Sequence, residues 1–321
     1  YGGFRVNVTN NEIRDADDGI LDPGRTVGND IDGIEFIGIG GPTSTVRRNQ
    51  INDTDEVGLG NPAIRVTDDN IDVINNTITN ASNGTVVTGD DVNLTGNNIS
   101  DTAADGVFVN GASNVVLENN NVTSVASDGI VSSGTSFLTI TGGTVEGAGE
   151  MGIQAIPGGI SSDNLTVDGV TVNDTSSTGI NADGTDTVIN GSTVTNTAAT
   201  LGLAAISGGI GAGTVDVTNN EIRDSGAFGI HEPNASINND IDGVSSVGIV
   251  SADSSYLRRN YINDTDRSGN GNPGIRANAN GVDVINNTVT NSTFGVNVTG
   301  IGSDANLERN DIINVGVSAV V

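Results

Sequence analysis

One recurring unit, Asn-X-apolar, constrains this chain more than anything else in it. Its apolar residue falls at Ile13, Ile31, Ile51, Ile78, Ile99, Val122, Val145, Val172, Val194, Ile222, Ile241, Ile262, Val289 and Ile312, at intervals of 18 to 28 residues averaging 23. A period of that size belongs to a solenoid, in which each repeat buries its apolar face only against its neighbours. The polar place of the unit holds Asn11, Asn29, Asn49, Asn76, Asn97, Asn120, Asn220, Asn239, Asn260, Asn287 and Asn310. Between the two runs it lapses to Gly143, Val170 and Ser192. Asn rather than Asp is expected in a stacked column, because an amide both donates and accepts.

Most often seven residues behind each apolar landmark comes a Gly-apolar pair, as at Gly38-Ile39, Gly106-Val107, Gly202-Leu203 and Gly248-Ile249, with Ala63 and Ala319 in the Gly place of two units. Such a Gly marks either a corner with positive φ or a close approach of backbones. Val, Ile and Leu alternate with Thr, Asn, Ser and Asp in short runs, the period-2 pattern of half-buried strands. With 46 Gly, no Trp, no Cys, 3 Tyr and 6 Phe, the interior has to be aliphatic. The expected class is therefore all-β, with three short strands and three corners per turn. Turns stacked at the parallel-strand spacing of about 4.8 Å would make a rod on the order of 65 Å long.

Repeats such as VINNTITNASNGTVVTG and VVLENNNVTSVASDGIVSSG resemble the right-handed parallel β-helix proteins of the pectin-lyase-like group, over essentially the whole chain. The resemblance implies a single-stranded right-handed parallel β-helix of about 14 rungs. It leaves function open, since the group includes pectate lyases, polygalacturonases, epimerases, viral tailspikes and surface proteins of other roles. The polygalacturonase pattern ends in Arg-X-Lys, which a Lys-free chain cannot supply, and its His-Gly step meets His231-Glu232 here.

A second periodicity lies above the rungs. VTNNEIRD at 8–15 returns at 217–224, followed in order by NDIDG, RRN, INDTD, GNP-Ala/Gly-IR and DVINNT, with an offset of 209 to 211. Residues 6–100 thus correspond to 215–313, nine rungs apart, with a unique middle at 101–214, and one continuous β-helix over 1–321 is expected. Neither end carries a polar cap or amphipathic helix, so the sequence predicts further rungs in a longer parent chain, or self-association end to end or as a fibre or trimer.

Net charge is −28 with a pI near 4.1, and all twelve basic residues are Arg, lying in 5–65 and 223–309. An Asp-dominated surface without Lys suits very high salt, where screening over about 3 Å removes most self-repulsion; a halophile or its virus is the expected setting. Nucleic acid is excluded as a partner, because no basic patch can displace its counterions. A ligand should be neutral, cationic or bound through cations, with a glycan or cell-surface ligand as candidates. No apolar run approaches the length of a membrane span. An extracellular, cell-surface or virion-surface location is expected, and Asn-X-Ser/Thr triplets give glycosylation candidates at Asn7, Asn75, Asn80, Asn83, Asn93, Asn121, Asn164, Asn286 and Asn297.

Candidate chemistry is sparse. The adjacent acids Asp17-Asp18, Asp68-Asp69 and Asp90-Asp91 fit solvated corners better than paired catalysts, and His231 fits an exposed corner. Arg47-Arg48 and Arg258-Arg259 should each turn one guanidinium outward onto Asp, as a salt-bridged face. The long-looped rung, INDTDEVGLGNPAIR and its copy INDTDRSGNGNPGIR, gathers Asn52, Asp53, Asp55 and Asn61, and again Asn263, Asp264, Asp266 and Asn272. These oxygens suit either a Ca²⁺ site of modest affinity or an ion-free Asx-turn corner; no cofactor is otherwise required. The expected function is a structural or adhesive surface solenoid with no catalytic residue assigned. Its rivals are a polysaccharide-cleaving or -binding tailspike or lyase-like enzyme and a calcium-dependent binding module.

Overall fold

A computed structural model describes residues 6–41, 44–55, 60–156, 163–182, 184, 186–198, 204–207, 214–278, 280–299 and 304–320. The Gly202-Leu203 landmark lies outside these residues, as does the side chain of Ala319. The chain divides into two compact units, Tyr1–Glu150 with Gln154–Asp163, and Met151–Ile153 with Asn164–Val321. The described elements are all strands, three to a turn, and those of each kind number fourteen.

In the first unit, the three kinds begin at Asn7–Thr9, Glu12–Ala16 and Ile20–Leu21. Every pairing is parallel and joins a strand to its counterpart one turn on, so the expected parallel β-solenoid is the observed fold. The Asn-X-apolar unit opens the second strand of each turn. Its apolar residues stack in strict register, Ile13 on Ile31, Ile51, Ile78, Ile99, Val122 and Val145. From Ile31 to Val122 all are fully buried. The third strands stack Ile20, Ile39, Ile64, Thr85, Val107 and Ile130 in the same way. Two core places fall to Thr26 and Thr85, whose buried hydroxyls have no hydrogen-bond partner.

The second unit repeats this plan. Val172, Val194, Ile222, Ile241, Ile262, Val289 and Ile312 form its corresponding stack.

The Asn ladder is present in both units. In the first, the side-chain nitrogens of Asn11, Asn29, Asn49, Asn76 and Asn97 each donate to the side-chain oxygen of the next Asn at 2.9–3.0 Å. That same oxygen accepts the preceding Asn's backbone N–H. The second proton of each amide goes to a backbone carbonyl, for example Asn97 Nδ2 to Val73 O of the turn before at 2.8 Å. Asn220, Asn239, Asn260 and Asn287 do likewise in the second unit, and Asn310 accepts the last of these bonds. Buried amides satisfied on every side are the condition on which polar groups enter a core. At the lapse, Gly143 has φ +82 and lies so close to Asn120 that a Cβ would collide with that backbone. Ser192 supplies a shorter substitute, its hydroxyl accepting from Val170 N and its own N–H donating to Asn220.

The landmark glycines serve the second of the two purposes predicted for them. Gly38 and Gly248 do not have positive φ; a Cβ on Gly38 would stand 2.7 Å from Ala63 O and 2.8 Å from Ile51 Cγ2. On Gly248 it would stand 2.5 Å from Ile262 Cγ2. Positive φ occurs instead just before each ladder position and four residues after it. On the preceding side it falls to Asn10, Gly28, Arg48, Asn75 and their counterparts, and on the following side to Asp15, Gly33, Asp53, Asn80 and theirs. Asn, Asp and Gly enter this region most easily.

Replacing Asn97 by Ala removes four hydrogen bonds at once and leaves the backbone and side-chain N–H groups of Asn76, which are buried, without the acceptor they share. We expect a loss of about 3 kcal/mol in denaturant unfolding. Asn121→Ala, on the exposed outer face, should change stability by less than about 0.5 kcal/mol.

Candidate functional site

The outer faces of the second strands carry a polar column that differs from the buried ladder. In the first unit Arg14 reaches Asp30 at 2.6 Å, Asp32 at 2.7 Å and Glu12 at 3.1 Å. Asp32 in turn accepts from Asn52 at 2.7 Å, and the side-chain oxygen of Asn52 accepts from Thr79 at 2.6 Å and Asn80 at 3.1 Å. The second unit repeats the sequence of contacts: Arg223 to Asp240 at 2.6 Å, Asn263 to Asp242 at 2.7 Å, Thr290 to Asn263 at 2.7 Å. The ion-paired face therefore belongs to Arg14 and Arg223, corrected from the Arg-Arg pairs. Arg48 and Arg259 occupy left-handed corners instead, and Arg258 donates to the Tyr256 hydroxyl at 3.0 Å. The reason is register, since Arg14 stands over Asp32 on the neighbouring turn.

The residues expected at a calcium site are distributed among four tasks. Asn52 and Asn263 belong to the outer column. Asp55 is buried and accepts from Gly60 N at 2.6 Å and Asn61 N at 3.0 Å, folding its own loop back. Asp266 does the same for Asn270 N and Gly271 N, both at 2.9 Å, and also accepts from the Thr293 hydroxyl at 2.5 Å. Asn61 and Asn272 turn their oxygens to Arg65 and Arg276. Asp53 accepts from Asn52 at 3.0 Å, and Asp264 pairs with Arg267 at 2.8 Å. In both copies the carboxylate accepts from backbone N–H groups four to six residues on, a wider closure than the two-residue span of an Asx-turn. Among the described residues, no three acidic or histidine side chains gather as a metal-binding group.

The adjacent acids also serve as corner caps: Asp69 accepts from Asp90 N at 2.8 Å, and Asp90 from Ser113 N at 2.7 Å. His231 departs from its expected exposed corner. It ends the strand Phe228–His231, half-buried, with its ring stacked on Phe228 at 5.3 Å between centroids. Burial lowers its pKa despite the nearby Glu232 carboxylate. Among the glycosylation candidates, Asn7, Asn75, Asn80, Asn93, Asn121 and Asn164 are exposed, while Asn83, Asn286 and Asn297 are half-buried. Asn75, Asn80, Asn164 and Asn286 are left-handed corner residues, which accounts for part of their abundance.

A groove of about 670 Å³ runs along one corner of the first unit. It is built from the same three places on four successive turns: Asp53-Thr54-Asp55, Asn80-Ala81-Ser82, Asp101-Thr102-Ala103 and Ser124-Val125-Ala126. The first residue of each triplet is left-handed and forms one wall, while the second is buried and forms the floor. Small residues at the second and third places leave the groove open. At four turns its length is roughly 15–20 Å. Sequence reasoning missed it, although the run of small residues five and six places after each ladder Asn was its visible signal. A second missed candidate is Phe137, 55 % exposed and at φ +55, level with Asn114 between the Ser113–Ser136 and Val115–Leu138 pairs. A bulky side chain in that region is an outlier, and outliers of this kind cluster at contact sites.

This geometry and the sequence agree on a class. The chain matches the family described as the right handed beta helix region over residues 1–161 and 158–312, and it belongs to that family. Among solved structures it is similar to the mannuronan C-5 epimerase AlgE4 A-module of Azotobacter vinelandii, at 15% identity and a TM-score of 0.52, covering 100% of this chain and 89% of that one. It is also similar to PfbA, a surface adhesin of Streptococcus pneumoniae, at 10% identity and a TM-score of 0.54, covering 92% and 85%. A GH87 α-1,3-glucanase catalytic domain solved with tetrasaccharides matches at 13% identity and a TM-score of 0.52, covering 98% and 61%. No curated protein matches the sequence. At these identities the likeness is one of fold. Among the described residues no helix is long and apolar enough to cross a membrane.

Two outcomes follow for the corners. Burial would raise the pKa of Asp266, but the Thr293 hydroxyl and the amides of Asn272, Gly271 and Asn270 outweigh it and hold the carboxyl below its usual value. A depressed folded-state pKa contributes stability that is complete above the unfolded value of about 3.9 and is lost as pH falls through the folded value. The protection of the Asn270 and Gly271 amides, measured as exchange relative to the intrinsic rate at each pH, should therefore fall below about pH 4, and Asp266→Asn should remove most of that acid dependence. Phe137→Asn should raise the unfolding free energy by about 1 kcal/mol, because Asn tolerates the left-handed backbone; denaturant titration measures it.

Proposed function

We propose that this chain is an extracellular, surface-displayed adhesive β-helix that binds a neutral or cationic ligand in the groove of the first unit. The observation that carries the reading is the groove itself: a floor of small uncharged residues walled by Asp53, Asn80, Asp101 and Ser124 over four turns. Side chains this short present acceptors and donors along a line, which suits an extended ligand such as an oligosaccharide. With a net charge of −28 and carboxylates on its rim, the groove repels uronates and other polyanions. The fold shared with a surface adhesin supports this reading. The lysine-free acidic composition supports a high-salt setting, and the exposed Asn-X-Ser/Thr corners at Asn75 and Asn164, which do not line the groove, support glycosylation there.

Hydrolysis is a second reading, favoured by the placement of Asp53 and Asp101 on one groove wall, two turns apart. That is about 10 Å between backbones, compatible with the acid and base of an inverting glycosidase. One experiment addresses both. Retention of the protein should be measured on neutral, amine-bearing and uronate polysaccharides at molar salt, with assay for new reducing ends and unsaturated products. We expect retention on neutral or amine-bearing polymers, weakened in Ala103→Trp, which fills the groove, and no cleavage. Retention on uronates alone, or undiminished binding by the filled groove, would sink the adhesive reading; released sugar lost in Asp101→Asn would replace it with hydrolysis.

A further inference from the structure

The duplicated parts build the same corner twice, and in the second unit a guanidinium lies across it. There Asp224, Gly243 and Asp264 occupy the left-handed place on three successive turns, at φ 52°, 74° and 50°. Arg267 spans them, with Nη1 at 2.6 Å from Asp224 Oδ1 and Nε at 2.8 Å from Asp264 Oδ2. Gly243 makes room, since a Cβ there would stand 2.5 Å from Arg267 Nη2. In the first unit Asp15, Gly33 and Asp53 hold the same places at φ 51°, 64° and 47°. The strands through them share the register: Arg14, Asp32 and Asn52 align as Arg223, Asp242 and Asn263 do.

By sequence the counterpart of Arg267 is Glu56, which lies outside the described residues. The first copy therefore keeps the two carboxylates and the intervening glycine but carries an acid where the second carries the cation. Among the described residues no ion pair reaches Asp15 or Asp53; the latter accepts only from Asn52.

We propose that the Asp15–Gly33–Asp53 corner is a receptor for an arginine side chain presented by another polypeptide. The second unit shows the seat in use, with an arginine of its own chain. A guanidinium carries several N–H donors fixed in one plane and can bridge two carboxylates on separate turns, as Arg267 does. A lysine ammonium is a point charge and fits this spacing less well. Asp15 and Asp53 attract a cationic side chain at contact distance, within the range that salt screens least. The inference goes beyond the groove reading and fails separately from it, because Asp15 takes no part in the groove.

The test is residue-resolved NMR of the full chain titrated with acetyl-Gly-Arg-Gly-amide, and with its Lys counterpart, at constant ionic strength. We expect shifts at the amides of Asp15, Gly33 and Asp53, with affinity at least about tenfold lower for the Lys peptide and for D15N. E56R should abolish the shifts by supplying the arginine internally. R267A should create a second set at Asp224 and Asp264. Shifts spread evenly over the acidic surface, equal binding of both peptides, binding unchanged in D15N, or displacement of the peptide by Ca²⁺ from the same amides would each overturn the proposal.

Discussion

The hydrogen bond that the rest of each unit depends on is the one from an asparagine amide to the same amide a turn away. It fixes the rise and the register together. A one-residue slip would carry the buried column to the outer face and the Ile stack with it. An aliphatic stack alone does not discriminate between registers, because Ile packs on Ile or Val almost equally well. The amide column does, since each buried Asn that has another above it, such as Asn97, has its acceptor and both protons engaged, and a misplaced one would lose several bonds inside an apolar interior. Specific register is thus held by polar groups, while the bulk of the burial comes from Val, Ile and Leu.

That division explains how the duplicated parts have diverged. Ladder and core places recur almost letter for letter between 6–100 and 215–313. The loop after INDTD does not, and there one copy carries Arg267 and the other Glu56. A change in the column disturbs both neighbouring turns, whereas a change at a corner meets solvent. Corners are accordingly where binding properties can vary without cost to the fold, and the groove and the acidic seat both lie on them.

The sequence made the strands, their period and the Asn column legible because those places admit few residue types. Ile31 or Asn97 has almost no substitute when every neighbour is buried. The left-handed corners were illegible for the opposite reason: Asn, Asp, Gly, Ser and Arg all occupy them, so no pattern stands out. The landmark glycines were visible, but their purpose was not, since a requirement for no Cβ and a requirement for positive φ select the same letter. Arg14 and Asp32 are 18 residues apart, and their pairing becomes visible only once the turn length between them is known. The groove was hidden because it consists of what small residues leave out. His231 was misread because nothing local to it announces that Phe228 packs against its ring.

The column of amides in each unit also has a direction. Each ladder amide turns one N–H toward the following turn and its oxygen toward the preceding one, so the dipoles add and polarise one another. A further β-helix extending such a column can do so in one orientation only, oxygen meeting N–H. Contact between two like ends would set acceptor against acceptor or donor against donor. The two ends of each column are therefore chemically distinct, one offering a donor and the other an acceptor, a polarity that the stack of Ile and Val beside it does not have.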